Sequence, residues 1–372
     1  MKRHLFGIFV LMLIASGVTC AQGRTQVKTA GKSLPVFPYE QGWFGSDNGY
    51  SIPLTATRSL WLFGDTFVAD ADATHRNKYK TMIRNSIGIS TCEPGKECTM
   101  RYYWEGKGTA KARSFFDTGT DEEWLWPMDG YRDGNALYMS AMVLRNRKGA
   151  GPEEVFGFEV AGTRWFAIKN VLAPPEQWKM RSEELTGEEL LPGSSTFADG
   201  KYVMMYALIG DGKDKSYMSV LRVARGKIAE LRSNWEYLGA DERWHAGTPK
   251  GDAKRVIEQP ISEMSVRYHP SIKKWVAISG GLTFPTKHIL ARTADSATGP
   301  WSEPRIIFEF PEMNPKNPGY DNDTFCAATK EHVEFEHENL VITYACNSMS
   351  VGKVVENMTL YRPQVVVLDL PR

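Results

Sequence analysis

Ser59-Leu60-Trp61-Leu62-Phe63-Gly64-Asp65-Thr66-Phe67-Val68 is a β-favouring aromatic run that ends in a carboxylate flanked by Gly64 and Thr66. A second carboxylate, Asp47, stands upstream in Phe44-Gly45-Ser46-Asp47-Asn48-Gly49-Tyr50-Ser51. Between the two lie a short strand pattern, Tyr50-Ser51-Ile52-Pro53-Leu54, and a polar turn, Thr55-Ala56-Thr57-Arg58. If these strands pair as an antiparallel hairpin, Asp47 and Asp65 fall at the same end. Two carboxylates converging at one sheet end suit glycosidic-bond hydrolysis, in which one gives a proton while the other activates water or attacks. Either Asp alone is better read as a turn cap through an Asx hydrogen bond. The pair, in so aromatic a stretch, points to chemistry.

Outward from this hairpin, short strand-like runs separated by Gly, Pro, Asp and Asn continue to the C-terminus, and helical periodicity is nearly absent. The best helical stretch, Pro175 to Leu190, reads as a Glu- and Lys-containing insertion. The pattern is that of an all-β sandwich, barrel or propeller. A propeller is favoured because strand clusters recur at roughly regular intervals. They run from Gly49 to Trp104, Trp124 to Ile168, Ser194 to Val223, Glu263 to Thr293 and Thr324 to Tyr361. These clusters predict a five-bladed β-propeller over residues 41–372. Val365-Val366-Val367-Leu368 is expected as a spare strand that completes a blade begun near the N-terminus and closes the ring.

Lys2, Arg3 and His4 precede an apolar run from Leu5 to Ala15, followed by Thr19-Cys20-Ala21. This predicts a signal peptide over residues 1–21, export to the periplasm or cell exterior, and a polar tether over 22–40. Lipid anchoring through Cys20 is the competing expectation. No other segment approaches the roughly twenty apolar residues of a membrane helix. With 45 Lys and Arg against 44 Asp and Glu, the formal charge is +1. The absence of a basic or acidic run argues against nucleic acid and anionic membranes as partners and suits a neutral glycan. Cys92 and Cys98 enclose a loop that an oxidising compartment could close as a disulfide. Cys326 and Cys346 read equally well as buried thiols or a second bridge. No cysteine has metal-binding spacing, and neither metal nor other cofactor is expected. A monomer is expected.

Asp47-Asn48-Gly49-Tyr50-Ser51-Ile52-Pro53-Leu54, Leu60-Trp61-Leu62-Phe63-Gly64-Asp65-Thr66-Phe67 and Arg84-Asn85-Ser86-Ile87-Gly88-Ile89 together resemble a bacterial family of secreted five-bladed propellers. Long catalogued as a domain of unknown function, that family includes endo-D-arabinanases and is kin to the arabinanase, xylosidase and fructosidase propellers. The match covers most of residues 42–370. Trp126-Pro127-Met128-Asp129-Gly130 is similar to the start of its second blade, and Glu263-Met264-Ser265-Val266 to that of its fourth. Asn48 stands where the family more often has a small residue, and Glu331-His332-Val333-Glu334 lacks the proline that usually follows the histidine. Relatives that share a propeller can differ in sugar.

The resemblance implies that Asp47 and Asp65 are catalytic carboxylates and makes Glu263 a third candidate, with a structural pairing to Arg267 or Arg292 as its rival role. It implies water as the second substrate and inversion of configuration. Asp129 is a candidate to tune a neighbour's proton affinity or bind a hydroxyl, or is an ordinary turn residue. Arg84 and Asn85 are candidates for sugar hydroxyls, Trp43 and Trp126 for stacking on a sugar face, and His332 for lining the channel. Tyr320-Asp321-Asn322-Asp323 reads as a loop more than a calcium site. The expected activity is hydrolysis of a furanose-rich polysaccharide, with D-arabinan foremost. The alternatives are a non-catalytic carbohydrate-binding propeller and a phosphorolytic relative, which would need Arg84, Arg267, His269 and Arg292 to converge on phosphate.

Overall fold

In the computed structural model the hairpin forms as its pattern predicts. β1 (Trp43–Ser46) and β2 (Tyr50–Pro53) run against β3 (Arg58–Phe63) and β4 (Thr66–Val68), with Tyr50 opposite Leu62 and Ser46 opposite Thr66. β5 (Thr81–Ile83) extends β1 and β4 into a small three-stranded sheet, while β6 (Ser86–Thr91) and β7 (Thr99–Tyr103) complete the order β2-β3-β6-β7. The structure describes residues 33–371 except 152, 153, 155, 211–215, 260, 282–284, 318, 336 and 337. The expected signal peptide, with Cys20, lies outside the described residues.

Four more antiparallel sheets follow in chain order. They comprise β8 (Glu123–Asp133), β9 (Ala136–Asn146), β10 (Phe158–Ile168) and β11 (Met180–Gly187), then β12 (Leu190–Asp199), β13 (Tyr202–Gly210), β14 (Ser216–Ala224), β15 (Glu236–Leu238) and β16 (Trp244–Ala246). Next come β17 (Met264–His269), β18 (Lys274–Gly280), β19 (His288–Ala294) and β20 (Arg305–Glu309), and finally β21 (Thr324–Glu331), β22 (Asn339–Ser348) and β23 (Gln364–Asp369). The protein is all-β, with six sheets among the described residues.

The apolar run of β3 is continuous because both of its faces are buried. Leu60 and Leu62 enter a core shared with Met139 and Phe166, whereas Trp61 and Phe63 enter one shared with Val341 and Val367. Successive residues of a strand point to opposite faces, so two cores need an unbroken hydrophobic run. Each such side chain, fully buried, contributes roughly 1.5–3 kcal/mol. Further cores join β10 to β13 and β14 through Trp165, Val203 and Leu221, and β13 and β14 to β17 through Tyr206, Val220 and Val266. Another joins β18 to β22 and β23 through Ile278, Ile342 and Leu368. The first strands touch in the same order, β2 with β8, β8 with β12, β12 with β17 and β17 with β21. The circuit returns to β2 where His332, just past β21, meets Ser51 at 2.6 Å.

Three elements differ from expectation. Met180 to Gly187 forms an exposed edge strand on β10 rather than a helix. Pairing with a strand already in place outweighed its weak helical preference. Thr359 to Tyr361 is a turn, and Gln364–Asp369 pairs with β22 as the third strand of the last sheet, not with the N-terminal blade. The reason lies in its alternation: Val366 and Leu368 pack beside Leu340 and Ile342, while Val367 faces Trp61. Both cysteine pairs are bonded, Cys92 to Cys98 across the β6–β7 turn and Cys326 to Cys346 between β21 and β22. Within the stretch expected as a tether, Phe37 is buried edge-on against Trp61 at 4.8 Å. No helix of the described residues is long and apolar enough to cross a membrane.

Arg76 fastens the chain's end to the first ribbon. Its guanidinium is fully buried and donates to the carbonyls of Phe44, Val354, Asn357 and Leu360 and to the Tyr39 hydroxyl. Burial is the main influence on this group and lowers its pKa. Replacement by Met leaves several buried acceptors unsatisfied. Arg76→Met is therefore expected to lower unfolding stability by roughly 3 kcal/mol, read from urea midpoints at constant slope.

Candidate functional site

Asp47 and Asp65 occupy a break in one long two-stranded ribbon. The register of Ser46 with Thr66 and Tyr50 with Leu62 sets Asp47 opposite Asp65, at the point where the ladder lapses between β1 and β2 and between β3 and β4. Asn48 holds the break by accepting the Gly64 N–H on its Oδ1. Gly64 is dictated by contact, because a Cβ there would lie 2.8 Å from Asp47 Oδ1. Gly45 is dictated by conformation: its φ is +112°, and a Cβ would meet the Tyr361 carbonyl at 2.0 Å.

Glu263, immediately before β17, joins the two aspartates. Burial, then the charges of Asp65 and Glu263, push the Asp47 carboxyl well above the usual carboxylate range. Burial also raises Asp65, but Arg84 and Trp126 oppose that rise. Trp126 Nε1 donates to Asp65 Oδ1 at 3.1 Å, and Arg84 donates to Oδ2 at 3.3 Å while lying 4.3 Å over the Trp124 ring. Glu263 is raised by burial and drawn back by the Ala328 N–H at 2.7 Å, the Tyr50 hydroxyl and the charge of Lys330. Tyr361 is buried nearby, its phenol pushed up by burial and then by Asp47 and Asp65.

A cavity of about 290 Å³ opens beside this cluster, lined by Asn48, Tyr50, Trp126, Ser194, Glu263 and Lys330 among others. Ser194 Oγ is buried behind the cavity lining without a protein hydrogen-bond partner. On the cavity floor, Lys330 Nζ lies 3.1 Å from Asp129 Oδ2, which also accepts from Arg267 at 3.2 Å and from the Thr196 N–H at 2.8 Å. A second cavity of about 250 Å³ has Ser51, Asp129, Thr196, Arg267 and Glu334 in its wall. Asp129 and its cations thus lie between the two cavities.

The other sequence candidates divide by location. Arg84 and Trp126 contact Asp65, while Asp129 lies beneath the cavity. Trp43 is fully buried and stacked on Tyr102 at 4.3 Å, which covers its face. Asn85 is buried and committed to Phe116 and Leu125 through three backbone hydrogen bonds. His332 is buried between Ser51 and Thr343, each at 2.6 Å. Arg84, Arg267, His269 and Arg292 do not form a phosphate cluster: their partners are Asp65, Asp129, Glu331 and Gln259 respectively. Asp321 and Asp323 are bridged by Lys353 at 2.6 and 2.7 Å. Glu312, Cys326 and Cys346 lie together, but the two sulfurs are spent on each other. Sequence reasoning missed Tyr50, Ser194, Lys330 and Tyr361. A lysine two residues beyond the largely apolar Phe325-Cys326-Ala327-Ala328 strand start was the weak signal for Lys330; nothing local marked the rest.

A family model described as "Domain of unknown function (DUF5005)" matches residues 36–369, and the chain belongs to that family. No curated protein matches the chain. Among solved structures, a presumed hydrolase from Bacteroides ovatus superposes with a TM-score of 0.69 at 17% identity, covering 88% of this chain and 86% of that one. This likeness establishes a shared fold. An endo-arabinase from Bacteroides thetaiotaomicron gives a TM-score of 0.45 at 10% identity over 93% and 98% of the two chains. An α-L-arabinanase from Cellvibrio cellulosa gives 0.42 at 12% identity over 88% and 92%. These two likenesses are too distant to support an argument.

Asp47 binds its proton more tightly folded than unfolded, so its stabilising contribution is complete below about pH 4 and is lost as pH rises through its elevated folded value. Asp47→Asn is expected to raise the melting temperature by a few degrees at pH 7–8, with the gain vanishing near pH 4, by calorimetry across that range. Gly64→Ala is expected to displace the Asp47 carboxyl, visible as loss of that pH dependence in a protein that still folds.

Proposed function

We propose that this DUF5005 member is a glycoside hydrolase that cleaves a furanose-rich polysaccharide, with D-arabinan as the foremost candidate. The observation that carries this reading is the unequal trio of Asp47, Asp65 and Glu263 beside one cavity. Asp65 receives two side-chain donors, whereas Asp47 is pushed well above the carboxylate range by burial and its acidic neighbours. Carboxyl groups whose environments drive their proton affinities apart serve as acid and base.

On this reading Asp65 is the ionised base and Asp47 the general acid. Asp65 takes a proton from water as that water attacks the anomeric carbon. Asp47 gives its proton to the departing glycosidic oxygen, and the attack from the opposite face inverts the configuration. Ionised Glu263 keeps the proton on Asp47. Trp126 presents an indole on the cavity wall beside the polar side chains of Asn48, Glu263 and Lys330, a lining suited to the apolar and polar features of a sugar. No cofactor has a role. The reading treats the sheets that begin with β2, β8, β12, β17 and β21 as propeller blades, supported by the first-strand contacts that return to β2. Export is supported by the N-terminal pattern and by two disulfides, which persist in oxidising compartments.

The test is reducing-end release from a panel of polysaccharides that includes D- and L-arabinans. Asp65→Asn is expected to lower kcat about 10²–10⁴-fold while retaining glycan binding. Binding without turnover in wild type, indifferent to that substitution, would instead identify a carbohydrate-binding module. The rate should be bell-shaped in pH, with Asp65 setting the acid limb and Asp47 the alkaline one. Glu263→Gln removes a charge that raises Asp47 and should move the alkaline limb to lower pH. Proton NMR of the first-formed anomer checks inversion.

A further inference from the structure

Lys330 reaches the cavity floor from an irregular point in β21. Ala328 has φ +58°, in the left-handed region that non-glycine residues seldom adopt, and the pairing with β22 shifts between Ala327 and Lys330. The bulge has two consequences on one side of the strand. It gives the Ala328 N–H to Glu263 Oε2 at 2.7 Å, and it turns Lys330 Nζ inward, 3.4 Å from the Met128 carbonyl and 4.8 Å from the Tyr50 ring centre. The Tyr50 hydroxyl in turn hydrogen-bonds Glu263. Two residues of one strand therefore bear on the same carboxylate.

Asp129 is a single carboxylate shared by Lys330 and Arg267, at 3.1 and 3.2 Å. Glu334 also faces Lys330, and burial raises its pKa as it does that of Glu263. His332 is kept neutral first by burial and then by Lys330 and Arg267. The charge of Lys330 also reaches Glu263, which shares a cavity wall with it and lies near Asp47. Burial pulls Lys330 down to about 8, which leaves it mostly charged at neutral pH and below.

We propose that Lys330 is the positioning residue that keeps Glu263 ionised and thereby leaves the proton of the carboxylate trio on Asp47. Its consequence for turnover rests on the hydrolase reading; the effect on Glu263 does not. Removing the ammonium lets Glu263 take a proton at higher pH. It then ceases to repel charge on Asp47, and the protonated acid comes to lie in the wrong place.

The experiment follows the Glu263 carboxyl carbon by ¹³C NMR through a pH titration, with the resonance assigned by its loss in Glu263→Gln. In Lys330→Met the Glu263 titration is expected to rise by about one pH unit, the size of a nearby opposite-charge effect; Lys330→Arg should keep the wild-type value. If Lys330→Met does not fold, Lys330→Met/Asp129→Asn removes both members of the buried pair and carries the same readout. Where a substrate is in hand, kcat should fall in Lys330→Met, with KM unchanged and recovery in Lys330→Arg. A Glu263 titration that does not move in a folded lysine-free variant overturns the proposal. Failure to hydrolyse any glycan, with the Glu263 shift present, overturns the hydrolase reading and leaves the proposal standing.

Discussion

Three carboxylates held together in a largely buried cluster repel one another, and the surrounding structure works against that repulsion. Transfer of an ionised carboxylate from water into protein is costly unless the charge is paired or a proton is bound. The molecule uses both remedies unequally. Asp65 has Arg84 and Trp126, Glu263 has the Ala328 N–H, Tyr50 and the charge of Lys330, and Asp47 is pushed toward protonation. This inequality, rather than the presence of acids, distinguishes the site from a surface acidic patch.

The fold supplies the cavity in which that inequality exists. Because adjacent sheets share cores on both faces, their first strands are brought against one another, and side chains from separate parts of the chain meet at one end. Asp47 and Asp65 come from the first ribbon, Trp126 from β8, Ser194 from β12, Glu263 from the start of β17 and Lys330 from β21. A change that loosens packing between two sheets would therefore also change the electrostatics. Arg76 links the same two levels: it fastens the segment from Val354 to Leu360 to Phe44, and Tyr361 follows beneath the aspartates.

The strand clusters and the Asp47–Asp65 pairing were legible because they depend on local pattern. Alternation within β2 and β3, the polar turn between them and the equal spacing on either side fix the hairpin register. Charged composition misled where pairing prevailed. Glu183 and Glu184 read as helical, yet they face solvent on an edge strand whose other neighbour is β10. Trp43 and Trp126 are alike as sequence and opposite in setting. One is stacked out of reach on Tyr102, and the other presents its indole N–H to Asp65.

By itself, then, the sequence determined the all-β character, the recurring clusters and the two aspartates at one end of one hairpin, since each follows from period, turn chemistry and register over a few residues. The tertiary structure alone decided the company those aspartates keep. Glu263 and Lys330 lie roughly two hundred residues or more beyond Asp47 in the chain, and their effect depends on distances that no local spacing encodes. Charge interactions vary with separation and burial. Which carboxylate is pushed furthest toward protonation therefore depends on contacts made only in the tertiary structure.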